Sequence, residues 1–293
     1  MIPSRTMARQ ILCIAGPTAS GKSSRAVTEA VARGGEVISV DSRQVYRGLD
    51  IGTEKITKEE MGGVPHHLID ICSPNENYSA GDFVFDATGL IDDIASRGKL
   101  PILAGGTHFY FNALLHGLPQ GVDPNLELRK KLEETTTEEL YARVGAADAR
   151  RAAELDPKNR RRLIRALEII EIKGEVPMRS QAAPIYDVEW IIIDPTREEL
   201  RERIEVRLAS ALTRGLVAEV KRVREEVGDT RLNELGLEYK IGGEFLRGER
   251  TEASLLPTLS SKLWQYARRQ KAWLRKLYEE KTISEVPPHP DRS

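Results

Sequence analysis

Gly16, Pro17, Thr18, Ala19, Ser20, Gly21, Lys22 and Ser23 satisfy the pattern G-x-x-x-x-G-K-[ST]. A short apolar run, residues 11–15, precedes them, and a segment of helical composition, residues 22–32, follows. That strand–loop–helix context is the one in which the pattern carries chemistry. The glycines let backbone N–H groups close on phosphate oxygens, and the helix N-terminus adds partial positive charge. Lys22 supplies a point charge, and the Ser23 hydroxyl is a donor suited to Mg²⁺. A chance match in a chain of this length is on the order of 1%. The pattern therefore predicts a phosphate or diphosphate ligand, and leaves open which one and what reaction follows.

A second acid-bearing position lies at the end of the next predicted strand, residues 36–40, where Asp41 and Ser42 follow directly. Strand C-termini in such sheets face the ligand crevice. Asp41 could hold Mg²⁺ through water, act as a general base toward an acceptor, or cap the following turn. Residues 44–53 are polar, aromatic and glycine-punctuated, which suits a loop lining an acceptor pocket. Gly105, Gly106 and Thr107 end a third predicted strand and face the same crevice. A P-loop with a strand-end Asp also fits a small-molecule kinase. A non-catalytic RNA-binding NTPase should carry a second hydrophobic strand ending in Asp-Glu, and none follows the P-loop.

The elements that must position these residues read as α/β: a P-loop NTPase-like parallel sheet flanked by helices, with an inserted helical subdomain. Strands are predicted at 11–15, 36–40, 100–104 and 190–194. Helices between them, at 22–32 and 82–96, imply crossover connections and a parallel sheet. Residues 121–174 are charged and helix-rich with no convincing strand. This places a core at 8–120 and 186–285 and an insertion at 121–185. From 196 onward the chain is helical, punctuated at Gly228-Asp229 and Gly242-Gly243. The tail around Pro287 and Pro288 is expected to be disordered.

Composition bounds the partners. The 293 residues carry 44 Lys+Arg and 45 Asp+Glu, a net charge of -1, with 40% hydrophobic residues. That is ordinary for a globular protein, and the sum alone disfavours a nucleic-acid ligand. Its distribution does not. Residues 157–165 hold five cations and no acid, and residues 255–278 hold six and no acid: +11 on 33 residues, leaving -12 on the other 260. Asp156 and Pro157 read as the N-cap and first turn of the first basic helix. Trp264, Tyr266, Trp273 and Tyr278 interleave with the second cluster. Cations with aromatics suit single-stranded nucleic acid, by stacking and phosphate contact. Two amphipathic helices with solvated basic faces are the alternative. Cys13 and Cys72 cannot make a disulfide framework or a Cys-rich zinc module. His66 and His67 lack a third ligand at a useful spacing, so a loop or substrate-lining role is expected for them. With no signal-peptide core and no apolar span, the expected location is the cytoplasm, with no membrane partner.

Taken together, these residues resemble the tRNA dimethylallyltransferase family. The resemblance runs from Ile11 to about Lys276, through GPTASGKS (16–23), VISVDSRQVYRGLDIGTEK (37–55), HHLID (66–70), YSAGDF (78–83), PILAGGTHFYFNALL (101–115), RRLIRALE (161–168), RIEVR (203–207) and QYARRQKAWL (265–274). It implies transfer of a dimethylallyl group from dimethylallyl diphosphate to the exocyclic amine of the adenosine 3′ to the anticodon, in tRNAs reading codons that begin with U. The P-loop would cradle a diphosphate rather than ATP, with Mg²⁺ as cofactor, and the insertion would grip the anticodon stem-loop of a tRNA bound by a monomer. Carried over, Asp41 is the base, Lys22 and Arg207 clamp the diphosphate, and Thr107 joins them as catalytic. Ser23 is the metal ligand, and Gly16 to Ser23 surround the diphosphate. Asp41, Ser42, Arg43, Gln44, Asn159, Arg160, Arg161, Arg162, Leu163 and Arg129 fall at RNA-contacting positions, as does the segment 235–240. The chain departs from the family at Glu238-Tyr239, where Gly-Tyr is common, and at His108, where a small residue is common. Relatives that prenylate free AMP or ADP share the core motifs, so a free nucleotide is the alternative acceptor.

Overall fold

In the computed structural model, residues 9–118, 122, 125–177 and 186–280 are described. The chain runs β1 (Arg9–Ala15), α1 (Lys22–Arg33), β2 (Gly35–Val40), α2 (Lys58–Met61), β3 (His66–His67), α3 (Ala80–Ser96), β4 (Leu100–Gly105) and α4 (His108–His116). It continues through α5 (Leu126–Glu133), α6 (Thr137–Ala147), α7 (Ala149–Glu154) and α8 (Arg160–Lys173) to β5 (Tyr186–Ile192). Four helices close it: α9 (Arg197–Thr213), α10 (Leu216–Leu232), α11 (Leu237–Leu246) and α12 (Glu252–Glu280). The proline-rich tail and both ends of the predicted insertion, residues 121 and 185, lie outside the described residues.

The five strands form one parallel sheet in the order β3-β2-β4-β1-β5. The last five residues of β1 and all of β2 are buried, the signature of interior strands covered on both faces. One face packs on α3 and α4 through Phe83, Ile91, Ile94 and Phe111, and the other on α1 through Ala26 and Ala30. β4 lies between β1 and β2, although it follows both in sequence. The loops after β1 and β2 therefore leave the sheet on either side of β4, opening a crevice at the strand C-termini. The parallel α/β reading holds. The two-residue β3 was not foreseen, being too short for any periodic pattern, and β5 starts four residues earlier than expected.

The chain divides into two compact units, residues 1–115 with 184–293, and residues 116–183. In the first, α9 to α12 pack with Val45, Tyr46 and Leu49 in a second apolar cluster. Gly228 breaks α10 with φ 73°, as its sequence suggested, but Gly242-Gly243 does not end a helix. A Cβ at Gly242 would lie 2.8 Å from the Val220 side chain, so this glycine permits close approach of α10 and α11.

The second unit is helical, with Leu140, Val144, Leu163 and Ile169 in its core. Asn125, Thr136, Asp148 and Asn159 cap its four helices, accepting from the N–H of Leu128, Glu139, Arg151 and Arg162 at 2.8–3.3 Å. Such a cap contributes about 1 kcal/mol to a helix. The basic helix thus begins at Arg160, capped by Asn159. Asp156 instead closes the preceding turn, accepting from Lys158 N at 2.9 Å.

Candidate active site

The loop after β1 is shaped by two residues in left-handed conformations, Ala19 at φ 60° and Gly21 at φ 89°, and Gly21 opens α1 with no side-chain cap. The N–H groups of the first turn are thereby left for a ligand. Lys22 Nζ donates to Pro17 O at 2.6 Å. Burial lowers its pKa from 10.5 to about 8, opposed by Asp41 and reinforced by Arg207. Ser20 Oγ is buried with no hydrogen-bond partner. A cavity of about 300 Å³ opens here, lined by residues 18–24, Asp41, Gln44, 53–57, Glu60, 104–106, Arg207, Arg214, Tyr266 and Gln270.

Asp41 reaches this cavity from the end of β2. Its Oδ1 accepts the backbone N–H of Arg43 at 2.8 Å and of Gln44 at 3.3 Å. The turn-capping reading is therefore realised, and a second oxygen, Oδ2, takes no hydrogen bond among the described residues. Thr107 accepts from Ser42 N at 3.2 Å, and its own N–H reaches Val40 O, so it supports the turn rather than lining the cavity. Gln44 ties the following loop shut by donating to Thr53 O and Glu54 O at 3.3 and 3.2 Å. Of the expected acceptor loop, Gln44 and Thr53 face the cavity, whereas Val45, Tyr46 and Leu49 are core.

Two long-range contacts complete the site. Gln270 of α12 accepts from Thr18 N at 2.9 Å and donates to Gly106 O at 2.8 Å, pinning the phosphate loop to the end of β4. Arg207 of α9 donates to the Thr18 hydroxyl and lies 3.0 Å from Glu54 and 3.2 Å from Glu238. Burial raises the Glu238 carboxyl, with Arg207 opposing. Burial also raises Tyr266, to about 12, with Asp41 adding to it. Behind them, the buried Glu219 carboxylate receives four donors: the N–H groups of Asp50, Ile51 and Gly52 and the Tyr239 hydroxyl, at 2.7–3.0 Å. A buried charge so fully hydrogen-bonded fixes the 50–52 loop. Sequence reasoning missed Glu54, Glu219, Tyr266 and Gln270 as site residues. Tyr266 and Gln270 carried a signal: they are one turn apart, on the helix face opposite exposed Arg268.

The residues expected to meet RNA have varied settings. In the second unit, Leu163 is fully buried and Asn159 is a cap. Arg129 pairs with the fully buried Glu168 at 2.7 and 2.9 Å, joined by Arg165 at 3.2 Å. Arg160 holds Leu132 O, Glu133 O and the Glu133 carboxylate at 2.6–3.2 Å. Arg161 and Arg162 are exposed and have no ion pair among the described residues. On α12 the aromatics divide. Trp273 packs on Phe111 and Trp190, Trp264 lies 5.1 Å beneath Arg201, and Tyr266 lines the cavity. Lys262, Arg268, Arg269, Arg275 and Lys276 face solvent, and Lys271 pairs with Asp194 at 2.7 Å. The side chain of Tyr278 lies outside the described residues. His66 and His67 are not in the cavity. They form β3, where His67 meets the buried Glu36 at 2.9 Å. Among the described residues no three His, Cys, Asp or Glu side chains group as metal ligands, and no helix is long and apolar enough to cross a membrane.

A parallel sheet whose interior strand β1 opens into a Gly-Lys-Ser loop, with cations and a strand-end acid around it, defines a P-loop-type α/β protein. Residues 44–277 match the family described as IPP transferase, and residues 9–74, which include the phosphate loop, match that described as Isopentenyl transferase. The chain belongs to the IPP transferase family. It is 39% identical to the tRNA dimethylallyltransferase of Anaeromyxobacter dehalogenans over 91% of this chain and 92% of that one. It is 40% identical to that of Thermomicrobium roseum, over 92% and 84%. Among solved structures, the tRNA isopentenylpyrophosphate transferase of Bacillus halodurans is 40% identical with TM-score 0.68, over 91% of this chain and 87% of that one. A eukaryotic dimethylallyltransferase acting on tRNA is 29% identical with TM-score 0.80, over 91% and 70%. The chain is accordingly a prenyltransferase, and the kinase and NTPase readings are set aside.

Proposed function

We propose that this enzyme transfers the dimethylallyl group of dimethylallyl diphosphate to the exocyclic amine of an adenosine in tRNA, the one 3′ to the anticodon, and releases diphosphate. The observation that carries this is the shared cavity of Asp41, Lys22 and the phosphate loop. A prenyl transfer to nitrogen needs a base at the acceptor and cations at the leaving group, and the cavity holds both. The tRNA-acting names of the relatives favour tRNA over a free nucleotide.

In the reaction the N–C bond forms at the allylic carbon as the C–O bond to diphosphate breaks. The amine is a poor nucleophile because its lone pair is delocalised into the ring. Asp41 Oδ2 takes its proton as the bond forms, an effect worth roughly 10²–10⁴-fold. Lys22, Arg207 and the free loop N–H groups meet the charge that develops on the leaving diphosphate, so their contribution is greatest in the transition state. The Ser23 hydroxyl at the loop is a hard oxygen of the kind Mg²⁺ prefers. Ser23 would ligate the ion, leaving Asp41 as the base. Mg²⁺, when bound, would neutralise charge on the diphosphate. The adenine must leave its stack to enter the cavity, at a few kcal/mol. Arg161 and Arg162 of the insertion, taken as residues 121–185, would offset part of this by contacting phosphates of the anticodon stem-loop. Ser42, Arg43 and Gln44 would line the acceptor side, with Thr107 holding their turn.

Incubation with dimethylallyl diphosphate, Mg²⁺ and either unmodified tRNA or AMP tests the reading. Mass analysis should show prenylated tRNA and unchanged AMP. Prenylated AMP with unmodified tRNA would replace the tRNA assignment by the free-nucleotide one.

A further inference from the structure

The Arg207 guanidinium is flanked by two acids and a hydroxyl, although its Nε makes no hydrogen bond among the described residues. Glu54 sits 3.0 Å from Nε, Glu238 sits 3.2 Å from one terminal nitrogen, and the other terminal nitrogen donates to the Thr18 hydroxyl. The two carboxylates thus share one long edge of the guanidinium, an edge on which a phosphate would otherwise dock bidentately. This is not a solvated surface pair. The side chains of Arg207 and Glu238 are 14% and 12% exposed. Glu54 is held at φ 51°, a conformation uncommon outside glycine, and its other oxygen holds Arg214 at 2.7 Å. The transfer chemistry uses neither acid, yet both are placed against a cation assigned to the diphosphate.

We propose that Glu54 and Glu238 are positioning residues that hold Arg207 by one edge and, through their charge, loosen the hold on diphosphate so that the leaving group is released after transfer. This rests on reading the phosphate loop as a diphosphate site. Two effects of opposite sign compete. Aiming the guanidinium spares the ordering of one side chain and tightens binding. Glu54, which lines the cavity, and Glu238, packed against the same cation, repel a multiply charged anion held there, at a range where salt screens little. The anion carries several charges and only one side chain is ordered, so repulsion wins.

Calorimetric titration of the full-length protein with inorganic pyrophosphate, in Mg²⁺, tests this. Glu54→Gln and Glu238→Gln, each isosteric, should bind pyrophosphate about tenfold tighter than the wild type, as expected for removing a nearby like charge. In turnover assays they should show a lower KM for dimethylallyl diphosphate together with a lower kcat, because release slows. A merely structural role would not increase affinity. Unchanged or weaker pyrophosphate binding by Glu54→Gln overturns the proposal, and this variant decides alone should Glu238→Gln not fold. A wild type that binds no pyrophosphate, or Lys22→Met that binds it as the wild type does, would instead overturn the diphosphate-site reading beneath it.

Discussion

Asp41 Oδ1 accepts the backbone N–H of Arg43 at 2.8 Å, so the residue proposed as base also closes the turn that follows β2. One carboxylate oxygen is structural, and the other takes no hydrogen bond among the described residues. Asp41→Asn keeps an oxygen for the turn and should fold normally, while turnover falls by roughly 10²–10⁴-fold. Asp41→Ala should lose both, with a further stability loss of about 1 kcal/mol by analogy with a helix cap. Thermal melts beside single-turnover rates separate the two; near-normal turnover in Asp41→Asn would remove Asp41 from the base role.

Lys22 sets a pH dependence. Its pKa falls from 10.5 in an unfolded chain to about 8 in the fold, chiefly by burial. Between those values the unfolded chain binds the extra proton, so this group makes the free protein more stable as pH rises across that window. Diphosphate binding has the opposite sense, because it needs the cation. Affinity for dimethylallyl diphosphate should be greatest below pH 8 and fall above it, with proton uptake on binding. Calorimetry in buffers of different ionisation heat measures that uptake, which Lys22→Met should abolish.

The basic cluster of the insertion should split into two kinds of arginine. Arg161→Ala with Arg162→Ala should leave the melting temperature unchanged and weaken tRNA binding. The salt slope should fall by about 0.7–0.9 for each phosphate that is no longer neutralised. Arg129→Ala strands the buried Glu168 with one cation fewer and should destabilise the unit by roughly 1–3 kcal/mol. An unchanged salt slope in the double variant would return Arg161 and Arg162 to a solvated face.

Gln270 should matter to both the fold and the donor substrate. Gln270→Ala leaves Thr18 N without its partner, a loss of roughly 1–3 kcal/mol, while Gly106 O keeps the N–H of His108. Gln270→Glu keeps the acceptor for Thr18 but turns a donor to Gly106 O into a repulsive oxygen and adds negative charge beside the loop. KM for dimethylallyl diphosphate should rise more in the Glu variant than in the Ala variant. Equal KM values in all three proteins would show that the latch does not shape the phosphate loop.

By itself the sequence determined the phosphate loop, the interior strands and Asp41 at a strand end. Each is written in contiguous residues: a spacing of glycines, an unbroken apolar run, an acid directly after it. Arg207 came from family resemblance, since nothing in its spacing pointed to Thr18, 189 residues away in the chain. Only the tertiary structure brought Gln270 across 252 residues to the same threonine, and set Glu54 and Glu238 against Arg207. It also sorted the cations. Arg129 and Arg165 are bound to Glu168, whereas Arg161 and Arg162 are exposed with no ion pair among the described residues, although the four look alike in the chain. Residue types show which groups can carry charge. Which of them are neutralised depends on a buried partner, and burial is a property of packing between segments rather than of any one segment.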